Sequence, residues 1–146
     1  TGVQTCALPI SRQNRSALIR VPRTSQGKEN ATRAEIRCPD PSANPYLALA
    51  SLLAIGLQGI KEKYKEVKPV EENVYEYTEA DLQAKGVETL PHSLWNALCH
   101  LQKSTILKKA LGENLFNNYL KAKTQEWDEY RIHVSDWELK KYLEIY

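Results

Sequence analysis

The chain has 146 residues, 42% of them hydrophobic and 26% charged, with a formal net charge of +2. That size and balance suit one compact globular domain and are far from disordered composition. Mean hydropathy is −0.54, and no apolar stretch approaches the ~20 residues needed to cross a bilayer, which speaks against a membrane protein.

Charge is unevenly spread. The first forty residues hold seven basic groups against three acids, and six of the seven are arginine. After residue 40 the basic residues are lysine, with Arg131 the exception. A guanidinium is a planar fork of donors that matches carboxylate and phosphate oxygens, a geometry lysine lacks. The N-terminal stretch is therefore expected to face an anion. The near-neutral total gives no reason to expect a nucleic acid. The three cysteines, Cys6, Cys38 and Cys99, are odd in number and lack a C-x-x-C spacing. That argues against a disulfide framework or a zinc site and for a reducing, cytoplasmic setting. The sequence contains no methionine, so the expectation is a piece of a longer chain or one whose start has been removed.

Along the chain, residues 1–11 show no clear period. Residues 16–21 alternate loosely and stop at Pro22; a polar loop follows, and residues 32–38 alternate cleanly. Two short strands joined by that loop are predicted, a pair that is marginal without sheet neighbours. Asn44 then caps a helix with Pro45 in its first position. That helix, from Tyr46 to about Tyr64, carries Leu47, Leu49, Leu52, Leu53, Ile55, Leu57 and Ile60 on nearly all sides, which predicts burial. Thr78 to Asp81 reads as a short capped turn. Pro91 is expected to open a further helix. Ser104 caps residues 105–111, Gly112 ends them, and an amphipathic helix runs from Glu113 to Tyr130. Ser135 and Glu138 form a capping box for the last helix. Trp95, Trp127 and Trp137 fall in helices and are expected in the core. The fold class is α+β: short antiparallel strands at the N-terminal end followed by a mostly helical region.

The sharpest chemical feature is Arg33-Ala34-Glu35-Ile36-Arg37. At a period of two, the three charged side chains leave one face of a strand. A carboxylate between two guanidinium groups stays ionised and can bind a hard cation such as Mg²⁺, leaving the arginines to hold phosphate or carboxylate beside it. A surface strand with a cross-strand salt bridge accounts for the same spacing. Arg15 and Arg20, five apart, reach a common site only if the chain bends between them. His92, His100 and His133 have no i,i+4 pairing and are not expected to bind metal.

Several strings together resemble one family. Asn14-Arg15-Ser16-Ala17-Leu18-Ile19-Arg20, Arg33 to Pro41 (Arg-Ala-Glu-Ile-Arg-Cys-Pro-Asp-Pro), and Ala43-Asn44-Pro45-Tyr46-Leu47-Ala48 resemble the C-terminal part of bacterial-type glutamine synthetase. Lys109-Ala110-Leu111-Gly112-Glu113 and Glu126-Trp127-Asp128-Glu129-Tyr130-Arg131 also resemble it. The resemblance covers residues 14–146; residues 1–13 do not share it, and Thr1–Ser11 looks like translated sequencing-adaptor read-through.

The resemblance implies an ATP-dependent ligase joining L-glutamate and ammonia through a γ-glutamyl phosphate, with Mg²⁺ or Mn²⁺ as cofactor. It implies a ring-shaped homo-oligomer, a dodecamer, in the intact protein. Residue by residue, it makes Arg15 a contact of both glutamate and nucleotide phosphates and Arg20 a nucleotide-binding arginine. Arg33 becomes a phosphate-side neighbour, Glu35 a metal ligand, and Arg37 the arginine that holds substrate glutamate. The isolated chain is expected to be inactive, since one glutamate cannot hold a catalytic cation. Two other readings of the residues stand beside this one: a non-catalytic anion or nucleic-acid binding module using the basic N-terminal segment, and a helical oligomerisation or regulator-docking region.

Overall fold

A computed structural model describes residues 7–11, 17–65, 69 and 77–145. The chain divides into two compact units, Thr1–His92 and Ser93–Tyr146.

In the first unit, strands β1 (Ala7–Ser11), β2 (Ala17–Arg20) and β3 (Glu35–Ile36) form a sheet in the order β1-β2-β3. β2 and β3 are the expected antiparallel pair, shorter than the alternating stretches that predicted them. Their register places Ile19 opposite Ile36 and Arg20 opposite Glu35. β1 is the strand the sequence did not reveal, and it lies parallel to β2. Its register shifts between Ala7 and Ile10, an interval that contains Pro9, which has no backbone N–H to donate. Such an irregular edge strand leaves no period-two signature. Ser11 and Ala17 are buried in this sheet, and the Ser11 carbonyl accepts from the Val21 amide at 2.9 Å. The β2–β3 connection turns at Gly27, whose φ of 82° favours glycine, and includes a 3-10 turn at Glu29–Ala31.

Helix α1 (Pro45–Lys61) starts as its sequence dictates. Asn44 Oδ1 accepts from the amides of Tyr46 at 3.0 Å and Leu47 at 3.2 Å, and Pro45 fills the first turn, where its missing N–H costs nothing. The helix stops at Lys61, short of Tyr64: Lys63 takes a left-handed φ of 51°, and the Tyr64 amide turns back to the Gly59 carbonyl at 3.0 Å. Its burial departs from expectation. No residue of α1 is buried, and Tyr46, Leu49, Leu53, Leu57 and Ile60 are 57–83% exposed. An apolar pattern on all sides records what a helix can bury, not whether this chain supplies the cover.

Helix α2 (Glu79–Ala84) is held by the Thr78–Asp81 capping box. Gly86, at φ 64°, closes it and lets the Val87 amide reach the Leu82 carbonyl at 2.8 Å, so Leu82 and Val87 are buried together with Tyr77 against them.

The second unit contains α3 (Leu94–Lys103), α4 (Thr105–Leu111), α5 (Glu113–Arg131) and α6 (Asp136–Tyr142). α3 begins three residues after Pro91, because the Ser93 hydroxyl caps the Asn96 amide and fixes the start there. Ser104 ends α3 and caps α4; Gly112, at φ 77°, ends α4 and precedes α5. The Ser135–Glu138 capping box is present as expected. α5 packs on both α3 and α4, with Leu98 and Phe116 buried. Of the tryptophans expected in the core, Trp95 and Trp137 are exposed and Trp127 is half-buried. No helix among the described residues is long and apolar enough to cross a membrane.

Candidate functional site

Antiparallel pairing of β2 with β3 determines which charges meet. Because Arg20 lies opposite Glu35, its Nη2 donates to Glu35 Oε1 at 2.7 Å. Arg33 Nη2 stands 4.0 Å from the same oxygen. Arg37 follows on from β3, its amide donating to the Leu18 carbonyl at 2.9 Å, and its positive field also reaches Glu35. Of the five residues singled out from the sequence, Arg20 and Arg33 thus stand within 4.0 Å of the Glu35 carboxylate, and Arg37 acts on it through its charge. Arg15 lies outside the described residues. The closest partner of Glu35 comes from the neighbouring strand, not from its own. Within-strand spacing could not reveal that; aligning Ile19 with Ile36 across the two apolar faces would have.

The electrostatics follow from this geometry. The hydrogen bond from Arg20 is the main cause holding the Glu35 carboxyl below the ordinary glutamate range; partial desolvation opposes it, and the fields of Arg20, Arg33 and Arg37 add to it. Arg33 is largely exposed, so at 4.0 Å its contact is screened and weak. Arg20 is different. Its Nε is buried and has no hydrogen-bond partner among the described residues, and an unpaired buried donor costs about 1–3 kcal/mol. An anionic oxygen placed there would relieve that cost.

The lowered Glu35 value has a definite pH consequence. A carboxylate whose folded value lies below its unfolded one stabilises the fold above the unfolded value, and that contribution is lost as pH falls through the folded one. Arg20→Gln should therefore lower the urea midpoint of the chain near neutrality. The gap to wild type should begin to close as pH falls below about 4, where the unfolded chain takes up the proton, and should be gone once Glu35 is protonated in the folded chain too. A gap unchanged down to pH 2 (on the order of two units lower) would show that the pair contributes nothing through its charge.

Mg²⁺ and Mn²⁺ take about six ligands, largely oxygen. Glu35 offers one carboxylate, with Oε1 already engaged by Arg20, and no group of three or more His, Cys, Asp or Glu side chains able to hold a metal occurs among the described residues. These residues do not by themselves fit such a cation. A cavity of about 740 Å³ lies within the second unit, lined by Trp95, Leu98, Cys99, Leu120, Thr124 and Ile132 among others, and contains none of the five candidate residues.

The family description "Glutamine synthetase, catalytic domain" fits residues 3–142, and the chain belongs to that family. The fit starts at residue 3, upstream of the Asn14 at which the motif resemblance begins.

Among similar proteins, the glutamine synthetase of Methanococcus maripaludis is 47% identical over 132 residues, covering 90% of this chain and 29% of that protein. Those of Clostridium saccharobutylicum and Staphylococcus aureus are 46% and 45% identical, each covering 31% of the relative. Of solved structures, apo GmaS superposes with a TM-score of 0.71 at 29% identity, over 95% of this chain and 30% of that one. Plasmodium falciparum glutamine synthetase shares the fold, with a TM-score of 0.74 at 22% identity, over 97% of this chain and 35% of that one. The chain thus spans about a third or less of the proteins it matches.

Proposed function

We propose that this chain is part of a glutamate–ammonia ligase that forms glutamine at the expense of ATP, and that it contributes the arginine-rich wall of the active site. The supporting observation is the orphaned Nε of Arg20, a buried donor beside Glu35 Oε1, which an acceptor oxygen such as that of a phosphate would satisfy. In this reading Arg15, Arg20 and Arg33 face the triphosphate, and Arg15 and Arg37 hold the substrate glutamate. The γ-carboxylate of glutamate attacks the terminal phosphorus, and ADP leaves. Ammonia then adds to the acyl carbon, phosphate departs and a proton is lost. The negative charge developing on the transferred group is what fixed guanidinium donors stabilise.

Glu35 would supply one oxygen ligand to a Mg²⁺ or Mn²⁺ ion. The remaining ligands are not among the described residues. The reading extends to a cytoplasmic location and to a ring-shaped assembly, a dodecamer, of the complete enzyme.

Two assays test it. The isolated chain, supplied with ATP, glutamate, ammonia and Mg²⁺, should form no glutamine, and measurable turnover would overturn the division of labour. A chimera in which this segment replaces its counterpart in the Staphylococcus aureus relative should synthesise glutamine, and Glu35→Ala in the same chimera should abolish that activity. A chimera that assembles, binds no ATP and has no activity would count against the ligase reading.

A further inference from the structure

The contact between Arg20 and Glu35 is incomplete on the arginine side. A guanidinium presents Nε–H and the adjacent Nη2–H along one edge, two parallel donors that suit two oxygens of one anion. Glu35 fills half of that edge. Its Oε1 takes Nη2 at 2.7 Å, while Nε beside it is buried with no hydrogen-bond partner among the described residues. The stations of both side chains are set by the backbone. Arg20 lies opposite Glu35 across the β2–β3 pair, and the Arg37 amide donates to the Leu18 carbonyl at 2.9 Å further along the same pair. From that station Glu35 reaches the edge with one oxygen, a weaker match than the bidentate one the edge allows.

Charge is unbalanced in the same direction. Arg33 Nη2 stands 4.0 Å from the oxygen that Arg20 already holds, and Arg37 adds its field, so one carboxylate serves three guanidinium groups. A phosphate group brings what Glu35 does not deliver there: two oxygens for Nε and Nη2, and more than one negative charge. Nor is the pair sealed, since the side chains of Arg20 and Glu35 remain 25% and 34% exposed. A half-satisfied contact that solvent can reach is one that a better anion can replace.

We infer that Glu35 is a placeholder on Arg20, an internal counterion that a phosphate group displaces, so that the carboxylate opposes phosphate binding at this wall until it is moved aside. The inference rests on the placement of Arg20 before phosphate in the ligase reading. It adds that the contact seen here is the resting state and is exchanged on binding.

Inorganic pyrophosphate titrated into the full chain, with a chelator and no divalent cation, tests it. Wild type should bind with a dissociation constant on the order of a millimolar, and the Arg20 Nε–H resonance should move as that donor gains an acceptor. Glu35→Gln keeps the shape of the side chain, removes its charge and should bind about tenfold tighter. Loss of fold could only weaken binding, so tightening cannot come from that source. Glu88→Gln removes one charge from an exposed site of the same unit and should change the affinity by less than about twofold. Arg20→Lys keeps the charge without the paired donors and should lose most of the binding, with or without Glu35→Gln. Binding that needs Arg20 but is not tightened by Glu35→Gln would overturn the placeholder and leave Arg20 facing phosphate. Equal tightening by Glu88→Gln would overturn it as well, reducing the effect to net charge. No binding, or binding indifferent to Arg20, would overturn it together with the phosphate role of Arg20.

Discussion

Alanine in place of Arg37 is expected to lower kcat/KM for glutamine synthesis by about 10²–10³-fold in a complete enzyme carrying this segment, the loss that follows removal of one preorganised donor from a developing charge. Arg37 is exposed at the end of β3 and enters no ion pair among the described residues, so its fork is not consumed by Glu35. The Arg20–Glu35 contact supplies that neutralisation from the neighbouring strand. Arg37→Lys should recover only part of the loss, because an ammonium keeps the charge but not the two parallel donors that match a carboxylate. If Arg37 were merely a solvated strand charge, both variants would run within a factor of about two of wild type and glutamate KM would not move. Steady-state kinetics with glutamate varied at saturating ATP and ammonia decide between these outcomes.

The largest expected loss of stability is at Phe116. Its ring is 3% exposed where α5 meets the neighbouring helices, and truncation to alanine should cost about 3–5 kcal/mol from lost transfer energy and the cavity left behind. Leu115, one residue earlier on the same helix, is 45% exposed, and Leu115→Ala should cost within about 1 kcal/mol. Urea denaturation followed by tryptophan fluorescence gives both numbers in one assay, since Trp95 and Trp127 lie on α3 and α5. Comparable midpoints for the two variants would mean that α5 is not anchored through Phe116.

The contrast between what could and could not be read from the sequence follows the range of each interaction. Caps at Asn44, Thr78, Ser104 and Ser135 were legible because each is settled by a side chain reaching an amide two or three residues away. Gly112 was legible because a left-handed φ favours glycine. The start of α3 was misplaced because a proline and a serine both signal a beginning, and the serine hydroxyl supplied a hydrogen bond that proline cannot.

The pairing of Glu35 with Arg20 was invisible to spacing within one strand; it depends on how residues fifteen apart are registered across the sheet. β1 was missed because a proline-containing edge strand with shifted register has no alternation to detect. The exposure of α1 was the reverse case: its apolar pattern was plain, but a pattern cannot say where the covering surface resides.

Single residues join α3 to α4 and α4 to α5, and that economy has a kinetic consequence. Ser104 and Gly112 leave no slack between successive helices, so α3 and α4 meet α5 through contacts close together in sequence. Little chain has to be gathered before those contacts form, and such local topologies fold fast. β2 and β3, by contrast, must close the stretch from residue 21 to 34 before Arg20 can reach Glu35, and loop closure carries its entropic cost before any pairing repays it. During refolding the helical half is thus expected to form first and the arginine-lined carboxylate last, an order that stopped-flow fluorescence against far-ultraviolet circular dichroism would check.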